Sequence, residues 1–238
     1  MSPTLTLASP AVAGDLLSFL GRARRVIDGN TRIVASDGFA QCYVGILMPR
    51  GLLDQTPTVL GLRVAEIPTD QQFDQVVPIE SFMHRIEQAL EQQDVDSSDK
   101  KAQQGEVEVT LPTAAPSIQW PAITPPREGW KRRMGIPASQ LGDAARRGIE
   151  AISEAIPDSV GESVLQKVRS EVWGQPMPHK KSIPWAAGFA ADALGLLDQR
   201  SLAVHTSGHW IRLSALHGYV LVKGHSEPEG LGEPEAND

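Results

Sequence analysis

Cysteine is almost absent from this 238-residue chain: Cys42 is the only one, so no intrachain disulfide can form and no thiolate zinc site can be assembled within one chain. A reducing compartment fits that usage, and the cytoplasm is the expected location. No apolar run is long enough to cross a bilayer; the most apolar stretch, 183–197, is too short and too rich in Ala and Gly. Met1 to Pro10 lacks the basic and unbroken apolar regions of a signal peptide, and the segment after it carries Asp15, Arg22, Arg24 and Arg25, so export is not expected. Also missing are a G-x-S-x-G elbow, H-E-x-x-H, an EF-hand loop, a Walker phosphate loop and a dinucleotide glycine fingerprint. No cofactor, metal or membrane partner is expected.

What is present is an ordinary globular composition, 41% hydrophobic and 21% charged, punctuated by 18 prolines and 21 glycines. The length admits two domains. The formal charge of −7 conceals an uneven distribution, because 91–111 and 226–238 together carry −9. Residues 112–225 hold nine acids and thirteen bases, so a mildly basic C-terminal part stands behind acidic segments. The total charge therefore excludes neither an acidic protein partner nor nucleic acid.

The pattern predicts an α+β fold. Residues 1–90 form an N-terminal antiparallel sheet with helices on one side. Thr4 to Ala8 alternates like a strand, and Ser9-Pro10 supplies an N-cap and a first-turn proline for a helix bearing Leu16, Phe19, Leu20 and Ala23. Asp37-Gly38 predicts a hairpin pairing Ser36 with Phe39, Ile33 with Cys42 and Arg32 with Tyr43. A strand at 59–67 and a helix through Ile79, Phe82, Ile86 and Leu90 follow. Residues 91–126 read as a flexible acidic and then Pro-rich linker, with an edge strand at 106–111.

Residues 127–225 are expected to form three helices and a three-stranded meander, a winged-helix-like outline, followed by a disordered acidic tail, 226–238. The helices are predicted at 139–156, with Leu141, Ala145, Gly148, Ile149 and Ile152 on one stripe; at about 159–173, behind a Ser159-to-Glu162 capping box; and from Ser182 to Leu197. A Ser207-Gly208 turn pairs Thr206 with His209, Val204 with Ile211 and Leu202 with Leu213; a return at Leu216-His217 pairs Leu213 with Val220 and Ile211 with Val222. One face of these strands is aliphatic. The other presents His205, Trp210, Arg212, Tyr219, Leu221 and Lys223, an aromatic and basic composition unusual for a face meant only for water.

The chemistry-bearing residues are weighed against packing. His205 and His209 fall on opposite faces of the predicted hairpin with no carboxylate beside them, which argues against a metal pair. Cys42, in mid-strand on an aliphatic face, is expected to be an inert packed thiol. Trp210, with His205, Arg212 and Tyr219, is the expected exposed or semi-exposed partner-binding anchor, the alternative being that the Pro-rich tether or the N-terminal domain covers this face. Lys131-Arg132-Arg133, after Trp130, and the pair Arg146-Arg147 are the candidates for an anionic or nucleic-acid partner, with a smaller basic patch at His179-Lys180-Lys181. The Ala-rich third helix has no side chains that read base edges, which removes the DNA-reading role of a winged helix.

Pro125-Pro126-Arg127-Glu128-Gly129-Trp130, Val172-Trp173-Gly174, the Ala-rich helix and Gly208 to Leu213 together resemble uncharacterised actinobacterial proteins of unknown function, mainly over 125–223. The resemblance implies an intracellular bacterial protein and no particular activity. Three functions stay open: a non-catalytic interaction, assembly or regulatory factor with a protein partner or a second copy of itself; a nucleic-acid-associated protein; and an enzyme whose site is assembled from loops.

Overall fold

The computed structural model describes residues 2–27, 29–49, 54, 56–96, 105–114, 120, 124–155, 161–224, 228 and 231. Two compact units are present, Met1–Val44 with Leu62–Ala122, and Gly45–Gly61 with Ile123–Asp238. Each mixes strands and helices, so the α+β class holds. Among the described residues there are five helices, and none is long and apolar enough to cross a membrane.

In the first unit, β1 (Thr4–Leu7) leads into α1 (Pro10–Arg24) through Ser9, whose hydroxyl accepts from the Val12 N–H at 3.3 Å. That bond satisfies one of the orphan donors of the first turn. β2 (Asn30–Ser36) and β3 (Phe39–Leu47) pair in the predicted register, with Ile33 opposite Cys42 and Arg32 opposite Tyr43. Asp37 and Gly38 have φ of 53° and 82°, the two left-handed residues that match a two-residue turn to the twist of its strands. β4 (Thr58–Glu66) follows, and β5 (Phe73–Pro78) completes the order β5-β2-β3-β4.

β5 is absent from the sequence expectations. Asp74 and Gln75 break its apolar alternation, and the strand forms because β2 offers a ladder, with Asp74 opposite Val34 and Gln75 opposite Ile33. Arg32 fixes it further by donating to both Asp74 oxygens at 2.8 and 2.6 Å. α2 (Ile79–Asp96) packs against α1 and runs past Leu90 into the stretch expected to be unstructured. β6 (Val107–Thr110) pairs with β1 in a separate two-stranded sheet, where Leu5, Leu7, Val107 and Val109 are all at most 1% exposed.

The second unit opens with β7 (Lys131–Pro137), then α3 (Ala138–Ala155), α4 (Glu162–Trp173), β8 (Pro176–Met177), β9 (Lys180–Pro184) and α5 (Trp185–Ala193). β10 (Ser201–Ser207), β11 (Trp210–Ala215) and β12 (Gly218–Lys223) form the meander, and the strand order is β12-β11-β10-β7. The winged-helix-like outline is therefore overturned: a fourth strand, β7, precedes the helices and pairs with β10, and a small hairpin, β8–β9, separates the second helix from the third.

Small residues let the helices of this unit approach closely. A Cβ at Gly188 would lie 2.4 Å from the Leu141 carbonyl oxygen, and one at Gly148 would lie 2.0 Å from the Trp173 ring. Trp173 in turn stacks on Phe189, with ring centroids 4.4 Å apart. The buried stripe of α3 is Leu141, Ala144, Ala145 and Gly148; Ile149, expected on it, is 51% exposed. α5 is shorter than its periodicity suggests, because Ser182 belongs to β9 and Pro184 is the N-cap, without a side-chain bond. It stops at Gly195, whose φ of 68° lets the Leu196 N–H reach Ala191 O at 2.8 Å and the Gly195 N–H reach Asp192 O at 2.9 Å.

Pro157, the Ser159 end of the capping box, prolines 116 and 121 and most of 226–238 lie outside the described residues. Leu231, within that acidic tail, is described and is 4% exposed.

Candidate functional site

The meander has its turn one residue further on than expected, which shifts the β10–β11 register by two. Ser207 pairs with Trp210, Thr206 with Ile211 and Val204 with Leu213, so Gly208 and His209 form the loop and Gly208 takes a φ of 51°. A shift by two keeps every side chain on its original face. The β11–β12 register is the expected one, with Ile211 opposite Val222 and Leu213 opposite Val220. Leu202, Val204, Leu213, Val220 and Val222 are at most 1% exposed.

The opposite face is not the open aromatic surface expected of it. Trp210 is 6% exposed and Leu221 1%, so Trp210 is a packed residue rather than an exposed anchor. His205, Arg212 and Tyr219 are half-buried, and they converge with a residue that the strand pattern does not contain, Trp130. The Arg212 guanidinium lies 4.6 Å from the centroid of the Trp130 ring and 5.4 Å from that of Tyr219. Trp130 is held in place by its indole N–H, which donates to Pro126 O at 2.9 Å. Arg212 Nε donates to Ser214 Oγ at 3.2 Å, and the same hydroxyl lies 3.2 Å from His205 Nδ1.

Electrostatically, Arg212 is a half-desolvated cation. Burial lowers its pKa, with the Tyr219 phenol acting the other way, and a guanidinium stays charged at neutral pH regardless. Among the described residues it makes no ion pair with a carboxylate. Two aromatic faces supply part of the lost solvation, at about 0.5–2 kcal/mol for each such contact.

β7 sorts the basic triplet. Arg132 is opposite His205, so it shares the face of Arg212, whereas Lys131 is opposite Thr206, and the register shifts between Val204 and His205. Arg133 Nε donates to Thr206 Oγ1 at 2.8 Å. Lys131 and Arg132 are exposed. Of the other two residues of the expected anion cluster, Arg146, on α3, is ion-paired with Asp143, while Arg147 lies in the neighbourhood of α3, the β8–β9 hairpin and α5.

That neighbourhood is a cleft of about 280 Å³ lined by Gln140 and Arg147 of α3, Met177, His179 and Lys180 of the β8–β9 hairpin, and Trp185 at the start of α5. His179 has a φ of 60°, a left-handed conformation that costs a non-glycine residue about 1–3 kcal/mol. Periodicity on α3 would have placed Gln140, Asp143, Ala144 and Arg147 on one side of that helix. The partner hairpin of that side carries no local signal beyond Pro178.

The described lining of the cleft contains no Ser, Thr or Cys, and on the meander face the Ser214 hydroxyl that lies 3.2 Å from His205 Nδ1 also accepts from Arg212 Nε. The buried Cys42 thiol lies 3.0 Å from Thr31 Oγ1, and burial pushes its pKa up to about 12, which leaves it protonated and inert. His84 and Glu87 lie 3.9 Å apart on an exposed stretch of α2. Among the described residues no group of three His, Cys, Asp or Glu side chains is arranged to hold a metal ion.

Two family models match the chain: Domain of unknown function (DUF8010) over residues 1–105 and Domain of unknown function (DUF8185) over residues 125–227. No curated protein matches it. Among solved structures, the DNA polymerase sliding clamp from Caulobacter crescentus is 12% identical, with 93% of this chain and 65% of that chain covered and a TM-score of 0.46. The DnaN sliding clamp (DNA polymerase III subunit beta) from Bartonella birtlesii bound to griselimycin is 15% identical, with 99% and 66% covered and a TM-score of 0.48. A putative DNA polymerase III beta subunit from Eubacterium rectale is 9% identical, with 99% and 66% covered and a TM-score of 0.47. The chain spans just under two thirds of the length of these clamp chains.

Proposed function

We propose that the protein is a non-catalytic interaction factor, and that the face bearing Trp130, Arg132, His205, Arg212 and Tyr219 docks an acidic segment of a partner protein. The observation that supports this reading is the stacking of Arg212 on Trp130 and Tyr219 with no carboxylate neighbour among the described residues. A guanidinium flanked by two aromatic rings is partly pre-ordered, so it loses less freedom on accepting a carboxylate. Trp, Tyr and Arg are also the residue types over-represented at interface hot spots. Trp210 belongs to this proposal as the buried neighbour of the face, opposite Lys223.

Nucleic acid is the weaker partner for this face. The Trp130 and Tyr219 rings already stack on Arg212, which leaves a base only their remaining surfaces. Of the basic residues, Arg133 is engaged with Thr206 and Arg146 with Asp143.

The test is affinity capture with the wild-type chain and with Arg212→Gln, combined with sedimentation of each. Arg212→Gln should fold and lose a protein that the wild type retains, in a manner weakened by salt. If the retained species is a second copy of this chain, sedimentation identifies it. An unchanged partner set and unchanged self-association would sink the reading.

A further inference from the structure

The cleft between α3, the β8–β9 hairpin and the start of α5 plays no part in the proposed docking face. We infer that it binds a small organic anion, a phosphate or carboxylate group carried on a flat or apolar body. Its volume of about 280 Å³ is near the lower end of the range of ligand pockets, roughly 300–1,000 Å³, and suits a small metabolite.

The charge of the lining defines the ligand. Arg147 and Lys180 are both cationic, and among the described residues Arg147 makes no hydrogen bond or ion pair. Among the described residues, Lys180 Nζ meets a weak acceptor, Met134 Sδ at 3.9 Å. The single acidic residue of the lining, Asp143, is already paired with Arg146. Gln140 and the His179 imidazole add polar groups, and His179, with its left-handed backbone, lies at the cleft.

The remaining wall is apolar and aromatic. Met177, Pro178, Ala144 and the Trp185 ring would cover the body of a ligand while Arg147 and Lys180 take its anionic oxygens. Trp185 Nε1 is shielded from solvent and has no acceptor among the described residues. A buried donor without a partner is uncommon. Two cations, one polar rim and one aromatic wall are a set suited to recognising an anion on an apolar body.

Calorimetric titration of the full chain with phenyl phosphate, benzoate and inorganic phosphate tests the inference. Phenyl phosphate or benzoate should bind saturably at one site, whichever is tighter naming the head group. Inorganic phosphate, with no body to meet Trp185, should bind more weakly. Arg147→Gln and Lys180→Gln should each weaken binding by about tenfold or more, the loss expected for a charged hydrogen bond, whereas Lys167→Gln on α4 should not. In the wild type, the Trp185 indole N–H resonance, assigned with Trp185→Phe, should shift on titration, which keeps the test valid should a variant fail to fold. No saturable binding, or affinity unaltered in both glutamine variants, would overturn the inference. So would binding of a short oligothymidylate in place of phenyl phosphate with the same sensitivity to Arg147.

Discussion

Arg212, in the middle of β11, has its guanidinium 4.6 Å from the ring of Trp130, a residue that precedes β7. The contact joins a loop to the half-buried side of a strand pair and leaves a cation without a carboxylate partner among the described residues. An energetic coupling of about 0.5–1 kcal/mol is expected between the two. A double-mutant cycle with Trp130→Ala, Arg212→Ala and the double variant, read by denaturant unfolding, measures it. Strictly additive losses would mean that the rings and the guanidinium are merely adjacent.

Glycines in the helices separate packing from propensity. At Gly188 an added methyl group meets the Leu141 carbonyl at 2.4 Å, and at Gly14, within α1, it meets nothing within 4 Å. Gly188→Ala should destabilise by about 1–3 kcal/mol, as overpacking does. Gly14→Ala should stabilise by about 0.5–1 kcal/mol through helix propensity alone. Thermal unfolding of the two variants against the wild type distinguishes the signs.

The N-cap of α1 offers a smaller effect. Ser9→Ala removes the acceptor of the Val12 N–H and should cost about 1 kcal/mol, while Ser9→Asp should recover most of it. Equal stability of Ser9→Ala and the wild type would show that the 3.3 Å contact contributes nothing.

Cys42 sets a reactivity and a pH dependence. Its thiol is buried with a pKa of about 12, so a thiol reagent at pH 8 should modify the native protein far more slowly than the unfolded chain. The unfolded thiol ionises near pH 8.5, about the ordinary value, whereas the folded one holds its proton to higher pH. Between those two pKa values the native state binds more protons than the unfolded state, so this contribution to stability is full below about pH 8.5 and falls as pH rises through the window. A Cys42→Ala variant should show a shallower alkaline loss; an identical slope would contradict the assignment.

Legibility in the sequence followed the locality of the signal. Asp37-Gly38 determined the β2–β3 register because a two-residue turn admits one pairing, and Ser9-Pro10 marked the start of α1 because a cap lies within three residues of what it caps. β5 and β7 carry no such mark. Phe73 to Pro78 and Lys131 to Pro137 contain polar and basic residues that become strands only when β2 and β10 supply a ladder, a dependence on context that composition does not encode. The basic triplet was legible as charge, but its division by the register shift in β7 was not. In the candidate face, His205, Arg212 and Tyr219 followed from strand parity, whereas Trp130 came from outside the strands and Trp210 proved to be packed. Strand parity gives the side of a sheet to which a residue belongs and is silent on which loop covers that side.

The most direct test of the interaction reading is site-specific photo-crosslinking, with a photoreactive amino acid placed at Arg132 on the proposed face and, separately, at Ile149, which is 51% exposed on α3. The account predicts a protein adduct from position 132 that Arg212→Gln abolishes, and none from position 149. Adducts of equal yield from both positions, or an adduct at 132 that persists in Arg212→Gln, would contradict it.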